Sequence, residues 1–126
     1  MKTISTDDAL KPSGHYSQAM SHNGLVYVSG QLPFDWQSGE PIHGDAGVEA
    51  AATLTNLKRI LEAAGSSLDQ VLKCTVYVAD IAYWDEINDV YSRFFGDHKP
   101  ARAIVPTGPL HFGYKVEIDA IAIAQQ

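Results

Sequence analysis

The sequence predicts an α+β fold in which a mixed β-sheet carries two helices packed on one face. Three observations point there. Apolar residues alternate with a period of two in several stretches, and in two others they recur at three- and four-residue steps. The order of these stretches is strand, strand, helix, strand, helix, strand, strand. A helix between successive strands implies crossover connections that lay helices against the sheet.

The first pair of strands is expected over residues 15–21 and 25–30, joined through His22-Asn23-Gly24. Asn-Gly favours the positive φ of a tight hairpin turn. Residues 31–44 are rich in Pro, Gly, Asp and Ser and read as a loop, with a turn at 37–39. Residues 47–64 form a helix whose apolar stripe is Ala50, Ala51, Leu54, Leu57, Ile60, Leu61 and Ala64, and Gly65 is placed as its positive-φ C-cap. Residues 72–79 alternate, with Leu72, Cys74, Val76 and Val78 on one face. Cys74 therefore reads as a buried structural thiol. A second helix over 83–95 packs through Trp84, Ile87, Val90, Tyr91 and Phe94, with Asp80 in its N-terminal cap region. Strands over 101–106 and 114–124 close the chain. In the last, Val116, Ile118, Ala120 and Ala122 form one face, while Lys115, Glu117 and Asp119 lead into Ile121 and Ile123 on the other. A face half polar and half apolar suits subunit contact.

The 126 residues fit one domain, 1–126. A chain of this size buries about two-thirds of its extended surface, enough for a core without staples. The lone Cys74 forms no internal disulfide, and the five histidines lack metal-ligand spacing, so no metal is expected. The N-terminus has no apolar signal core and no window reaches a membrane span, so a cytoplasmic protein without a membrane partner is expected. The formal charge of −6 and the absence of any cation run beyond Lys58-Arg59 argue against nucleic acid as a partner. A Gly-rich phosphate loop and a nucleophile elbow around Ser29 are both missing.

Arg102 opens a strand whose next residues are apolar, and its fork of donors needs a partner. On the residues alone, that partner is Asp119 or Glu117 in a salt bridge, or the carboxylate of a ligand held by two parallel hydrogen bonds. Glu117 lies between Val116 and Ile118. It is either an exposed member of the polar face or, if a second copy covers that face, a desolvated carboxylate able to hold water and move a proton. Tyr16 and Asn88 are open to packing and ligand roles alike.

In order along the chain, Gly14-His15-Tyr16-Ser17-Gln18, Val28-Ser29-Gly30-Gln31-Leu32-Pro33, Asn56-Leu57-Lys58, Leu61-Glu62-Ala63-Ala64-Gly65, Ile87-Asn88, Pro100-Ala101-Arg102 and Val116-Glu117-Ile118 resemble the Rid family. These are the reactive intermediate deaminases, also called YjgF-type proteins or L-PSP endoribonucleases. The resemblance implies a chorismate-mutase-like subunit, a homotrimer with ligand clefts between neighbours, and hydrolysis of enamines and imines such as 2-aminoacrylate and 2-iminopropionate to 2-oxo acids and ammonia. No cofactor is implied. By the same resemblance Arg102 pairs with the substrate carboxylate and Glu117 serves the attacking water. Tyr16, Ser29, Gly30, Asn88 and Ile104 fall at other cleft positions. Two further readings are a small-carboxylate binding protein without turnover and the endoribonuclease or translation inhibitor once associated with the family. The chain departs from the pattern at Ile104, often cysteine, at His15, often proline, and over residues 109–114.

Overall fold

The computed structural model describes residues 1–124, and Gln125 and Gln126, the end of the expected domain, lie outside them. Six strands and two helices follow one another as β1 (Lys2–Ile4), β2 (Ala19–His22), β3 (Leu25–Gln31), α1 (Ala46–Ala63), β4 (Val71–Val78), α2 (Trp84–Phe95), β5 (Ala101–Pro106) and β6 (Val116–Ile123). They make one mixed sheet in the order β1-β2-β3-β6-β4-β5, in which only β4 and β5 run parallel. The two helices cover one face, so the α+β expectation holds. Among the described residues no helix is long and apolar enough to cross a membrane.

Local chemistry explains most boundaries. Asn23 and Gly24 take φ of 52° and 80°, so the β2–β3 hairpin closes through two residues in the twist-matched turn type. Leu54, Leu57, Ile60 and Leu61 of α1 are fully buried, each contributing about 1.5–3 kcal/mol. Gly65, at φ 77°, ends that helix in a Schellman arrangement: Ser66 N–H donates to Leu61 O at 2.8 Å and Gly65 N–H to Glu62 O at 3.1 Å. The Asp80 carboxylate accepts from Ala82 N–H at 2.9 Å and caps the short 3-10 turn that leads into α2.

Four expectations are corrected. Residues 15–18 are not strand, and β1, three residues long, was not anticipated. Gln18 is buried, and its side-chain amide accepts from Thr6 N–H and donates to Thr6 O and Leu10 O, tying the N-terminal segment down ahead of β2. Leu72 is 46% exposed while Val71 is buried, because the β4–β6 register shifts between Val71 and Lys73. That bulge puts Val71 in phase with Cys74, Val76 and Val78. On α2 the packing stripe takes in Phe95, four after Tyr91 with ring centroids 4.5 Å apart, while half-buried Phe94 packs against the core as expected and Trp84 does not join it.

The fourth correction concerns Lys115. It precedes β6 rather than joining its polar face, and its Nζ lies 3.3 Å from Glu49 on α1. Glu49 is fully buried and also accepts from Lys115 N–H at 2.8 Å and Gly44 N–H at 3.3 Å. Glu49→Ala strands these donors in the interior and should cost about 3 kcal/mol of unfolding free energy, measured by urea denaturation.

Candidate functional site

Arg102 lies opposite Cys74 on β4, so its side chain leaves the sheet on the helix-covered face, at the sheet edge. There α2 receives it. Arg102 Nη1 donates to Asn88 Oδ1 at 2.9 Å, and the guanidinium carbon stands 4.4 Å from the Trp84 ring centroid and 4.8 Å from that of Tyr91. Among the described residues no carboxylate forms an ion pair with it, which corrects the Asp119 or Glu117 salt bridge. The reason is strand alternation: Glu117 and Asp119 sit opposite Tyr77 and Thr75, on the uncovered face. Asp119 is occupied there by Thr75 N–H at 3.2 Å and the Tyr77 hydroxyl at 3.4 Å. The charge of Arg102 and its other guanidinium N–H groups are therefore uncommitted. They border a cleft of about 400 Å³ shared with Asn88, Ser92, His98 and Lys99.

Two neighbours of Arg102 pack inward. Cys74 is fully buried, and burial is the main cause that pushes its thiol up to about 11, so it is a protonated packing group at neutral pH. Ile104, two residues on from Arg102, is partly buried and packs against the core.

The second group of residues gathers on β3, β6 and the loop before β2. Ser29 Oγ donates to Ser17 O at 2.6 Å and Ser29 N–H to Gln18 O at 3.0 Å, fastening the Tyr16 loop to β3. Tyr16 is 54% exposed and, with Gly30, Gln31 and Phe34, lines a recess of about 40 Å³. The β3–β6 register shifts between Val28 and Gln31, and Gly30 falls in that bulge directly under Glu117. A Cβ there would overlap Glu117 Oε2 and stand 3.0 Å from its Cδ. Glu117 is half-buried, and burial first, then the Asp119 charge, holds its carboxyl above the usual range against an opposing effect of His111. The departing 109–114 segment forms the 3-10 turn His111–Gly113 ahead of Glu117, with Phe112 at φ 57° and 59% exposed.

Gly30→Ala is therefore a local probe of Glu117. The colliding atoms are the end of a flexible side chain, so unfolding free energy should change by no more than about 1 kcal/mol. Any activity that depends on the Glu117 position should fall by about 10- to 100-fold, read as kcat/KM.

One chain does not bring the two groups together. Strands β5 and β6 are two spacings apart, roughly 10 Å, and Arg102 and Glu117 are offset by three residues along β4, about another 10 Å. Their backbones are thus on the order of 14 Å apart, with side chains on opposite faces. Each chain thus holds Arg102 with Asn88 in one group and Glu117 with Ser29, Gly30 and the Tyr16 loop in another. Among the described residues no cluster of His, Cys, Asp or Glu is arranged to hold a metal ion.

Of the residues that hold Arg102, Trp84 and Tyr91 read in the sequence as packing positions, while Asn88 is open to packing and ligand roles and falls at a cleft position by the family resemblance. Trp84, Asn88 and Tyr91 follow at i, i+4 and i+7, one stripe of α2, and a polar residue inside that aromatic stripe is the signal that marks it.

The chain matches the family model described as Endoribonuclease L-PSP over residues 6–124. It is 43% identical over 122 residues to the bovine 2-iminobutanoate/2-iminopropanoate deaminase, covering 97% of this chain and 89% of that one. A RutC family protein of Pyrococcus horikoshii is 42% identical over 121 residues, 96% of either chain. The crystal structure of E. coli TdcF with bound serine superposes with a TM-score of 0.93 at 37% identity, covering 99% of this chain and all of that one (100%).

Proposed function

Because the chain belongs to the L-PSP family, the Rid or YjgF-type proteins, we propose that it hydrolyses small 2-imino acids to 2-oxo acids and ammonia, in clefts shared between copies of a homotrimer. The observation that carries this reading is the unneutralised Arg102 guanidinium at the wall of a cleft, with Glu117 on the opposite face of the same sheet. Two half-sites that cannot meet in one chain complete each other when the Glu117 face of one copy meets the Arg102 edge of the next. The apolar residues Tyr27 and Ile123, 46% and 44% exposed on that face, favour such a contact.

The chemistry follows from the groups present. Arg102 accepts the substrate carboxylate, with Asn88 fixing one of its nitrogens. This turns a random encounter into an oriented one. Water adds to C2 of the protonated imine: the new C–O bond forms, the C=N π pair moves to nitrogen, and Glu117 takes the water's proton. Glu117 then returns that proton to the amine. The C–N bond of the N-protonated carbinolamine breaks with loss of ammonia as Glu117 takes the remaining hydroxyl proton, leaving the 2-oxo acid. A carboxyl held above its ordinary range by burial is suited to give as well as take that proton.

The test is direct. An amino-acid oxidase acting on alanine generates 2-iminopropionate, and its decay is followed with and without micromolar protein. Faster decay with ammonia and pyruvate released supports the deaminase; an unchanged rate overturns it for this substrate. The bound serine of the E. coli relative is itself a small carboxylate and favours one alternative, ligand binding without turnover. Calorimetric binding of pyruvate or 2-oxobutyrate without imine hydrolysis would select it. A steeply salt-dependent affinity for RNA would select the endoribonuclease reading, which the −6 charge disfavours.

A further inference from the structure

Arg102 is exposed at a sheet edge, yet no anion among the described residues holds its guanidinium in place. Trp84 and Tyr91 are seven residues apart on α2, about 10 Å of helix rise. A guanidinium carbon 4.4 Å from one ring and 4.8 Å from the other therefore sits between them, over the turn that carries Asn88. We propose that Trp84 is the positioning residue of this site: its indole face holds Arg102 ready for a carboxylate without neutralising it. This rests on Arg102 being the carboxylate anchor.

The argument is one of geometry and charge. A carboxylate partner would orient Arg102 equally well, but it would occupy the fork and cancel the charge the substrate needs. An aromatic ring attracts the flat face of the guanidinium through its quadrupole and leaves the in-plane N–H groups free. Tyr91 supplies part of this surface, but it is buried against Phe95 and belongs to the core. Trp84 is only half-buried and is not a core residue, and tryptophan is the strongest cation–π partner. Its large side chain on the first turn of α2 is thus explained by Arg102 rather than by packing.

Two substitutions separate this role from bulk. Trp84→Leu removes the π face, and Trp84→Phe keeps a smaller one. With 2-iminopropionate as substrate, the Leu variant should raise KM about tenfold with kcat within about threefold, and the Phe variant should stay within about threefold on both. Pyruvate affinity by calorimetry should weaken about tenfold in the Leu variant and little in the Phe variant, a readout that needs no turnover. The protein has two tryptophans, so in a Trp36→Phe background the emission comes from Trp84 and should shift as pyruvate saturates. This last measurement stands even if the Leu variant fails to fold. Pyruvate binding without imine hydrolysis removes the deaminase reading and leaves the clamp to be judged on affinity. A Leu variant with KM and pyruvate affinity within twofold of wild type overturns the clamp, as does a silent Trp84 at saturating pyruvate. If the wild type binds no pyruvate at millimolar concentration, the anchor fails and the clamp with it.

Discussion

Arg102→Ala should lower kcat/KM for 2-iminopropionate by about 10³-fold while the protein stays folded. Each hydrogen bond to a charged group contributes about 1.5–3 kcal/mol, so losing a bidentate carboxylate contact costs about 3–6 kcal/mol, or 10²- to 10⁴-fold. The fold gives up far less. Arg102 is exposed, and removing it forfeits one hydrogen bond to Asn88 and two ring contacts. Thermal unfolding should shift by only a few degrees. Arg102→Lys should recover a small part of the rate, since a point charge replaces a planar fork. Steady-state kinetics, thermal unfolding and gel filtration on the same samples check the result. Activity retained by the Ala variant would remove the anchor role.

Glu117→Gln should be nearly as damaging to turnover, about 10²- to 10⁴-fold in kcat, because an amide cannot take the water's proton. Its effect on folding should have the opposite sign. Burial and Asp119 raise the Glu117 carboxyl above its ordinary value. A carboxyl raised on folding favours the folded state below its unfolded pKa, and that contribution is lost as pH rises through the folded value. At pH 7 the ionised carboxylate is therefore a burden on the folded chain, and the neutral amide should be the more stable variant. The difference should shrink as pH falls into the carboxylate range. The wild-type pH–rate profile should show its acid limb above the range of an ordinary glutamate. A Gln variant that is both active and less stable at pH 7 would contradict the assignment of Glu117 as an ionised proton carrier.

What could be read from the sequence divides along physical lines. The long helix α1, the Asn23-Gly24 hairpin and the alternation of β6 depend on local periodicity and turn chemistry, which a single chain displays directly. The short strand β1 has no pattern of its own and exists because β2 offers it an edge. The bulge that exposes Leu72 is set by pairing with β6 and leaves no trace in the alternation before it forms. Lys115 meets Glu49 across 66 residues of sequence, a distance no spacing rule covers. At the candidate site, the residue types of Arg102 and Glu117 could be singled out, but their opposite faces follow only from strand register. The role of Trp84 was hidden for a different reason: a large aromatic residue on an amphipathic helix looks the same whether it fills a core or faces a cation.

Strand β5, which carries Arg102, ends the sheet. Its outer backbone N–H and C=O groups face no further strand among the described residues, the arrangement that templates aggregation between molecules. Pro100 precedes it and Pro106 is its last residue, limiting how far a foreign strand could zip along it, and Arg102 sets a charge near its start. The cation proposed to hold a substrate thus also places a charge where edge-to-edge strand pairing would begin. A change at Arg102 therefore bears on two properties of β5 at once, the proposed carboxylate anchor and the charge near the start of an unpaired strand.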